Sequence, residues 1–431
     1  MALTGRAGLV AALAAALALV LPGRVLTLVI LNLLLLAAVV LDVVFAGSVR
    51  ALQVSRSGPT SVRLGESTTT SLRLVNAGGR RVRAVVRDAW PPSAGIRPRT
   101  HHVDIPSGEQ RSVESSLLPT RRGDRRPARI TVRSLGPLGL AGRQGRHEAP
   151  WLLRVLPPFG SRKFLPERLE RLRQLDGAVL VRGRGQGTEF DSLREYVDGD
   201  DVRSIDWRAT ARRESVVVRT WRPERDRRVI LVIDTSRTSA GRVGDTPRLD
   251  HSLDAALLLG ALASKAGDQV DLLAHDRVLR ASVSAGSRSD VLPTLVNAMA
   301  PLEATLVEAD HRAMVSAVLR RQRRRALVVL FTDLNTAVIE EGLLPALPVL
   351  TARHTVVLAA VADPRVADMA SGREDVVAVY GAAAAERARG ERRRLTALLR
   401  RRGVEVVDAP PATFPPAVAD AYLALKAAGR L

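Results

Sequence analysis

Three largely apolar segments, each of which ends in an aspartate, constrain the fold of the second half of this chain. They read VILVID at residues 229–234, VVLFTD at 328–333 and VVLAAVAD at 356–363. Uniformly apolar strands are typical of parallel sheets, because helices cover both faces of such a sheet. The pattern predicts an α/β domain over residues 229–431.

Shorter segments complete the predicted order of elements in this domain. Helical periodicity between the apolar segments places helices along the sheet. The predicted strands are 229–233, 270–274, 278–283, 326–332, 356–361 and 404–407, and the predicted helices are 249–266, 290–300, 310–323 and 416–428.

The turn after the first of these strands carries a carboxylate and two hydroxyls, at Asp234, Ser236 and Thr238. Ligands of open α/β sheets bind outside the carboxyl ends of the strands, and Asp333 follows another strand of the same sheet. Oxygen ligands of this kind suit Mg²⁺. A metal site at these four residues and ordinary capping of the next helix both fit the pattern. For Asp363, capping is favoured because a proline follows it.

Two apolar runs open the chain, at residues 7–23 and 25–47. Each is near the length that crosses hydrocarbon at a rise of 1.5 Å per residue. A cleaved signal peptide is the competing interpretation of the first run, but no small-x-small cleavage site precedes Arg24. Residues 1–48 are therefore predicted to form a transmembrane helical hairpin. Asp42, near the end of the second run, is expected to be solvated at the membrane interface.

Flanking cations predict the orientation of this hairpin. Arg6 precedes it and Arg50, Arg56 and Arg63 follow it, whereas Arg24 alone lies in its turn. The positive-inside rule then places both ends of the hairpin in the cytoplasm. We expect a multi-pass protein of the inner or plasma membrane, in contact with the lipid bilayer, with cytoplasmic soluble domains.

The middle of the chain, residues 49–158, consists of short alternating segments with turns between them, which predicts a β-sandwich-like domain. The adjacent His101 and His102 would point to opposite faces of a strand, so joint metal ligation is not expected. We interpret this domain as a spacer or interaction module. The alternating segments are 68–75, 82–86, 111–118 and 128–132.

Acids, arginines and aromatics are concentrated at residues 187–213, within a segment (159–228) that we expect to pack on the following domain. Mixed acid–arginine patterns usually neutralise each other, which favours a buried ion-pair network. The alternative is an active site or a partner groove. The residues assigned to this network or partner surface are Glu189, Asp191, Arg194, Asp206, Trp207 and Arg208.

Composition excludes several classes of function. The chain of 431 residues has no cysteine, which excludes disulfides, thiolate catalysis and Cys-based metal sites. The formal net charge of +21 comes almost entirely from arginine, as is typical of a GC-rich bacterial genome. Because aromatics are only 3% of residues, stacking platforms for nucleic acid are scarce, and we expect attraction to anionic lipid instead.

Two adjoining sequences carry a family resemblance: GTEFDSLREYVDGDDVRSIDWRATARR at residues 187–213, and VVRTWRPERDRRVILVIDTSRT at 217–238. They resemble the signature of the bacterial domain-of-unknown-function family fifty-eight, and the resemblance is sharpest over residues 183–236. It implies a transmembrane hairpin, a β-rich segment and a von Willebrand factor A-like domain with a Rossmann-type parallel sheet. It also implies association with MoxR-type AAA+ ATPases and with other membrane proteins.

The von Willebrand A resemblance implies a metal-ion-dependent adhesion site. Its Asp-x-Ser-x-Ser turn corresponds to Asp234, Ser236 and Thr238, with Thr in place of the last Ser, and its third element corresponds to Asp333. The threonine of its second loop has no clear counterpart, because Thr305 lacks the usual glycine-rich surroundings. An intact site would leave one position on Mg²⁺ open for a carboxylate of a partner.

The function expected from these features is that of a non-enzymatic, membrane-anchored adaptor that binds protein partners and works with a MoxR-type ATPase. The chain has no Walker A sequence, so nucleotide chemistry would belong to the partner. The alternative is a metal-dependent hydrolase that uses the strand-end carboxylates or those of residues 189–206. Neither a GxSxG elbow nor an HExxH sequence supports it.

Overall fold

The computed structural model describes residues 2–20, 24–182, 189–212, 215–222, 227–284 and 290–431, apart from the side chains of 176–182, 189–191 and 220–222. The chain divides into two compact units, Met1–Leu156 and Pro157–Leu431.

The first unit begins with two apolar helices, α1 (Gly5–Val20) and α2 (Arg24–Phe45), which pack against each other. Leucines along both helices are more than half exposed, Leu9 and Leu33 among them. In the described part of the chain, one segment, Arg24–Ala51, is long and apolar enough to cross a membrane by length and composition. The 16 residues of α1 make a shorter apolar helix.

The rest of the first unit is built from strands in three sheets. Their orders are β1-β11-β10-β5-β7, β2-β4-β8-β6 and β3-β12-β9. The strands are β1 (Ala2–Leu3), β2 (Leu52–Ser57), β3 (Ser61–Arg63), β4 (Thr68–Asn76), β5 (Val82–Asp88), β6 (Ile96–Arg97), β7 (Thr100–Ile105), β8 (Gln110–Leu117), β9 (Gly123–Arg125), β10 (Ile130–Leu135), β11 (Ala141–His147) and β12 (Leu153–Leu156).

The core of this unit lies between the two larger sheets. Every second residue of β4 and β5 is buried, so that Leu72 and Leu74 of one sheet join Ala84 and Val86 of the other in one apolar cluster. Alternating burial of this kind follows from the pleat, which sends successive side chains to opposite faces. A short 3₁₀ helix, Val49–Ala51, connects α2 to β2, and another, Pro92–Ala94, connects β5 to β6.

Asp42 is not solvated, and the sequence expectation for it is wrong. Its side chain is fully buried, and its oxygens accept hydrogen bonds from the backbone N–H groups of Leu138 (2.7 Å), Leu140 (2.5 Å) and Ala141 (2.9 Å). Gly136 is required beside it, because a Cβ there would lie 2.4 Å from Asp42 oxygens. The last turns of α2 are therefore fastened to the turn between β10 and β11.

Arg56 also departs from its expected role as an exposed cation beside the membrane. It is buried in the first unit, where it pairs with Asp88 and donates to the Ala149 carbonyl. The Trp90 indole donates to the same aspartate. Arg50 is exposed and stays available as a flanking charge, but Arg56 belongs to the protein interior.

The second unit contains the remaining helices and strands. The helices are α3 (Leu165–Arg182), α4 (Trp207–Thr210), α5 (Arg237–Ala240), α6 (Arg248–Lys265), α7 (Val291–Met299), α8 (His311–Arg321), α9 (Leu347–Thr351), α10 (Pro364–Ser371), α11 (Val376–Arg401) and α12 (Phe414–Ala427). The strands are β13 (Glu189–Glu195), β14 (Val217–Arg222), β15 (Arg228–Asp234), β16 (Arg242–Val243), β17 (Thr246–Pro247), β18 (Gln269–His275), β19 (Leu279–Ser284), β20 (Leu327–Phe331), β21 (Thr355–Val361) and β22 (Val404–Ala409). Short 3₁₀ helices occur at Gly160–Phe164 and Val202–Ser204, and a π-helix at Val338–Leu343.

A six-stranded sheet with the order β19-β18-β15-β20-β21-β22 forms the centre of this unit. All neighbouring pairs are parallel except β18 and β19. The chain leaves β15 to one side for β18 and β19 and then crosses to the other side for β20, β21 and β22. The strand order therefore reverses next to β15, which is where ligands bind in open sheets of this type.

Helices pack on this sheet through its apolar strands. α6 contacts β15, β18 and β21, and α7 and α12 pack beside α6. The helices α8, α9 and α11 form an apolar cluster with alternate residues of the same strands. α3 packs on α6 and α12, where Arg168 forms a two-pronged pair with Asp420. The start of the predicted 159–228 segment, Gly160–Phe164 with α3, thus packs on the helices of the sheet domain.

Candidate metal and recognition site at the carboxyl edge of the sheet

Asp234 occupies the last position of β15 and is 2% exposed. Its Oδ1 accepts a hydrogen bond from the Ser236 N–H at 2.8 Å. Its Oδ2 accepts from the hydroxyls of Thr332 at 2.7 Å and Thr238 at 3.3 Å. The Ser236 and Thr238 hydroxyls are 3.2 Å apart. The structure therefore brings three of the four predicted metal ligands together around one buried carboxylate.

Helix capping accounts for only part of this arrangement. Ser236 stands at the N-cap of the four-residue helix α5, but its side chain makes no capping hydrogen bond. Asp234 accepts one backbone N–H, and its other contacts are hydroxyl groups. Capping thus explains one carboxylate oxygen and leaves the hydroxyls around the other unexplained.

The spacing of these oxygens fits a magnesium ion. Mg²⁺ holds six oxygens at about 2.1 Å in an octahedron, so neighbouring ligands lie about 3 Å apart. The separations of 3.2 and 3.3 Å within the turn are close to that value. A hydroxyl can rotate its hydrogen away and present a lone pair. Among the described residues no group of three or more His, Asp or Glu could hold a metal, so the fit depends on hydroxyl ligands.

Asp333 faces arginines. Its Oδ2 lies 3.2 Å from Arg248 and its Oδ1 accepts from Arg392 at 3.0 Å. Arg392 also pairs with Asp408; burial alone would lower the pKa of Arg392, but the two carboxylates raise it. Asp333 lines a cleft of about 1380 Å³ with these arginines, whereas Ser236 and Thr238 line a different one. Its assignment as a metal ligand stays a prediction.

Asp363 caps a helix, as the sequence favoured. It stands at the N-cap of α10, where its carboxylate accepts from the Arg365 N–H, and it also pairs with the Arg365 guanidinium. These hydrogen bonds from Arg365 lower the pKa of Asp363 against the opposing effect of burial.

Sequence reasoning missed Asp276, which ties three loops together at this edge of the sheet. It is fully buried and accepts from the hydroxyls of Thr305 (2.7 Å) and Thr235 (3.3 Å) and from the Arg280 side chain (2.7 Å). Burial opposes ionisation, but the hydrogen bonds from Arg280, Thr305 and the Val278 N–H prevail and lower its pKa to about 2. A usable signal existed, because Asp276 follows an apolar strand just as Asp234 does.

Thr305 binds the neighbouring loop. Its N–H and hydroxyl both donate to the Thr235 carbonyl, in addition to the hydroxyl contact with Asp276. The loop of Thr305 is thus held against the turn that contains Asp234. This threonine supports the shape of the site, and its hydroxyl already serves two acceptors.

A small cleft of about 270 Å³ opens over the turn. Its lining includes Ser236, Thr238, Glu308, His311 and Glu341. His311 is 4% exposed, and burial lowers its pKa despite the nearby carboxylates of Asp234 and Asp310, so its ring is neutral near pH 7. The cleft combines hydroxyls, a neutral imidazole and two carboxylates.

In the 187–213 block, where the sequence favoured a buried ion-pair network, the described ion pairs are partly exposed. Its strand β13 pairs with β14, which follows the block in the chain, in a separate two-stranded sheet. Arg194 pairs with Asp200, and Asp206 pairs with Arg219, but the arginine side chains are 39% and 46% exposed. Arg194 and Asp200 both belong to the block, whereas Arg219 lies beyond it in β14.

The remaining predicted residues of this block lie at its surface or outside the described side chains. Asp206 caps α4 through the N–H groups of Arg208 and Ala209, and its pKa is lowered by the Arg219 hydrogen bond and these backbone bonds. Trp207 is 67% exposed and Arg208 is exposed. The side chains of Glu189 and Asp191 lie outside the described residues.

These features define the class of the second unit: a mixed α/β protein whose sheet presents a carboxylate and hydroxyl groups at its carboxyl edge. Residues 192–406 match the family described as "Protein of unknown function DUF58". The match confirms, over that range, the family resemblance seen in the signature block. It covers the predicted metal residues and residues 192–213 of the exposed block.

Relatives with this similarity are known from mycobacteria. The uncharacterized proteins Rv1480 of Mycobacterium tuberculosis and Mb1516 of Mycobacterium bovis are each 28% identical to this chain over 183 residues. The aligned part is 42% of this chain and 57% of each relative. The chain thus matches little more than half the length of these relatives.

Similar solved structures cover only a small part of the chain. The CARDB domain of the PF1109 protein from Pyrococcus furiosus is 20% identical; its solution structure covers 24% of this chain and 94% of its own, with a TM-score of 0.18. Its crystal structure covers 27% and 92%, also with a TM-score of 0.18. At such TM-scores the likeness carries no argument about function.

Proposed function

We propose that this protein is a membrane-anchored interaction adaptor whose von Willebrand A-like domain binds a carboxylate of a partner protein through Mg²⁺. The observation that supports this most is the oxygen set of Asp234, Ser236 and Thr238, in which the Thr238 hydroxyl lies 3.2 Å from the Ser236 hydroxyl and 3.3 Å from the Asp234 carboxylate, close to the separation of neighbouring ligands on magnesium. Water and the partner would complete the coordination. The small cleft above the turn gives the partner access.

The state of the other strand-end carboxylates favours recognition over hydrolysis. Asp333 is paired with Arg248 and Arg392, Asp363 with Arg365, and Asp276 with Arg280. A carboxylate held by a guanidinium is a weak base, since the positive charge stabilises its ionised form. These three acids are thus poorly suited to activate water, as the hydrolase alternative would require.

Anchoring in a cell membrane is the second part of the proposal. The segment Arg24–Ala51 is long enough to cross the bilayer, and its contact with α1 supports a hairpin that would make the protein multi-pass. Exposed Arg6 and Arg50 at the ends of the hairpin favour a cytoplasmic position for the soluble units. The family resemblance further suggests a MoxR-type AAA+ ATPase as the partner that remodels the adaptor.

A metal titration of the full chain in lipid nanodiscs tests the recognition site. We expect Mg²⁺ and Mn²⁺ to bind in calorimetry and to raise the melting temperature of the second unit. At a metal concentration 100 times the dissociation constant, the gain in stability is about 2.7 kcal/mol. Asp234→Asn should abolish binding, because the neutral amide loses the charge that the cation needs.

Asp363→Asn is the matched control for this titration. Asp363 also follows an apolar strand of the same sheet, but it caps α10 and pairs with Arg365. The control should bind metal like the native chain. Equal metal binding by the Asp234 variant and the native chain, or no binding by either, would contradict a magnesium site at this turn.

A partner experiment then tests the adaptor role. A MoxR-type ATPase from the same genome, co-expressed with the chain, should co-purify with it in Mg²⁺ and separate from it in EDTA. Asp234→Asn should weaken the complex, and Asp363→Asn should not. A complex that is indifferent to both metal and Asp234 would remove this ATPase as the ligand of the turn.

A further inference from the structure

The end of the first unit next to α2 carries an unusual combination of exposed apolar and cationic side chains. The apolar members are Leu3 (67% exposed), Phe45 (53%) and Leu138 (55%). The cationic members, Arg6, Arg80 and Arg143, are all exposed. We call these six residues the helix-end face.

Several contacts hold the helix-end face rigidly to the apolar helices. Asp42 of α2 accepts three backbone N–H groups from the turn between β10 and β11, which contains Leu138. Thr4, just before α1, binds the same turn through the carbonyls of Gly139 and Leu140. β1 pairs with β11 through Leu3 and Ala141. The strands thus follow the helices without a flexible linker.

Two of these arginines cap the carboxyl end of α2. Arg80 donates to the Val44 carbonyl at 2.5 Å and lies over the Phe45 ring, and Arg143 donates to the Val43 carbonyl at 2.9 Å. These carbonyls belong to the last turn, whose acceptors have no partner within the helix. Each arginine uses one donor here, and a guanidinium has five, so most of its N–H groups are left for another acceptor.

The chemistry of the helix-end face matches the surface of an anionic bilayer. Apolar side chains beside the end of a membrane helix would lie at the level of the headgroups. Guanidinium groups bind phosphate oxygens in a two-pronged geometry. Continuity with the exposed apolar surface of α2 favours lipid as the occupant over an acidic protein, because leucines cover the helix up to this end.

We propose that the helix-end face binds anionic phospholipid headgroups and so fixes the depth and tilt of the first unit on the membrane. This inference rests on the proposed membrane anchoring, and it is independent of the metal site. Arg80 and Arg143 contact the phosphates, while Leu3 and Leu138 enter the outer edge of the apolar layer.

Site-specific fluorescence in nanodiscs tests this placement, because the chain has no cysteine of its own. A dye on Leu138→Cys should be quenched by nitroxide lipids labelled near the headgroup in phosphatidylglycerol discs. Leu118→Cys is the matched control: it is 51% exposed, but it follows the far end of β8, about 27 Å along the strand direction from Gln110 at the other end. We expect little quenching there.

A third label separates failure of the anchor from failure of this inference. Leu33→Cys lies in the middle of α2, is 60% exposed, and should be quenched by lipids labelled deep in the acyl chain. Quenching at position 33 without quenching at 138 would overturn the lipid-binding face and leave the anchor intact. A dye at 138 that is shielded from both lipid and solvent would indicate a protein partner and also overturn the proposal.

Native mass spectrometry in detergent tests the lipid class. The native chain should retain phosphatidylglycerol in preference to phosphatidylcholine. Each arginine near an anionic surface contributes about five-fold in affinity, so Arg80→Gln with Arg143→Gln should weaken phosphatidylglycerol binding by at least ten-fold. The charge-matched control, Arg87→Gln with Arg99→Gln, changes exposed arginines at the far end of the strands and should have no such effect.

The variants must remain folded for this comparison to count. Unchanged quenching at Leu33→Cys and unchanged melting would show that Arg80 and Arg143 are not needed for folding. Equal loss of lipid in the two double variants would mean a general effect of net charge and would overturn the specific site.

Discussion

Asp42 and Asp234 are both buried carboxylates whose hydrogen bonds from the described residues come from backbone N–H and hydroxyl groups, yet their surroundings differ in kind. Asp42 accepts three backbone N–H groups, which can only donate. Asp234 accepts one backbone N–H and two hydroxyls, and a third hydroxyl lies beside them. The first arrangement suits only an anion. The second can admit a cation, because each hydroxyl can reverse its role from donor to acceptor.

The type of donor therefore distinguishes a structural carboxylate, such as Asp42, from one that can exchange its hydrogen-bond donors for a cation, such as Asp234. Asp276 and Asp333 are a third kind, because each pairs with at least one arginine. The position of all three sheet acids at strand ends is the same, so position alone does not assign a role. The type of donor around each carboxylate does.

Asp42→Asn should produce the largest effect. The amide keeps one acceptor oxygen but turns an NH₂ group toward N–H donors, so at least one buried N–H loses its partner. At about 1–3 kcal/mol for each unsatisfied buried group, the first unit should lose about 3 kcal/mol of stability. Hydrogen exchange at the amides of Leu138, Leu140 and Ala141 would report this loss directly.

Asp104→Asn is the control in the same unit. Asp104 pairs with Arg81 at the surface, where it is 43% exposed, so the change should cost little. If exchange at the three amides of the Asp42 turn were unchanged in Asp42→Asn, the carboxylate would not be what fastens α2 to the strands.

Asp276→Asn should produce the next largest effect, and one that depends on pH. The folded-state pKa of about 2 lies below the usual 3.8, so the ionised carboxylate stabilises the fold above about pH 4. That contribution, about 2 kcal/mol, is lost as pH falls from 4 toward 2. The stability difference between the native chain and the variant should therefore shrink over this range, as measured by hydrogen exchange in the second unit. Parallel curves would contradict the lowered pKa.

Much of the sheet could be predicted from the sequence, because its strands are continuous apolar runs. The observed β15 and β21 match the predicted segments within two residues at each end. The 26-residue helix α11 was missed, since only four of its residues are buried and its first turn exposes Val376 and Val377. A helix that faces solvent over most of its length gives a weak periodic signal.

The hydrogen-bond and ion-pair partners of the acids could not be predicted from the sequence, for a different reason. The N–H groups that bind Asp42 lie 96 to 99 residues away, and Arg392 lies 59 residues from Asp333. A sequence shows which acids follow strands, but their partners depend on which helix the fold brings to that edge. The turn of Asp234, Ser236 and Thr238 was predictable because its members are local.

Asp333→Asn should have a smaller effect than the first two variants. Arg392 keeps its pair with Asp408, and Arg248 is 23% exposed, so solvent and the remaining carboxylate limit the loss to about 1 kcal/mol. Magnesium binding should be unchanged if the arginines already occupy this carboxylate. Loss of binding together with intact stability would instead make Asp333 a ligand, as the sequence predicted.

Asp234→Asn should have the smallest effect of all when no metal is present. The amide oxygen can still accept the Ser236 N–H, and the hydroxyls of Thr238 and Thr332 can rotate to suit the new NH₂ group. We expect the substitution to lower the free energy of local opening at the Ser236 amide, measured by hydrogen exchange, by less than about 1 kcal/mol. With Mg²⁺ the native chain should become more stable and the variant should not. Without metal, a loss of stability as large as that of Asp42→Asn would place Asp234 among the structural carboxylates. Hydroxyls that cannot adapt to an amide could not turn their lone pairs to a cation either.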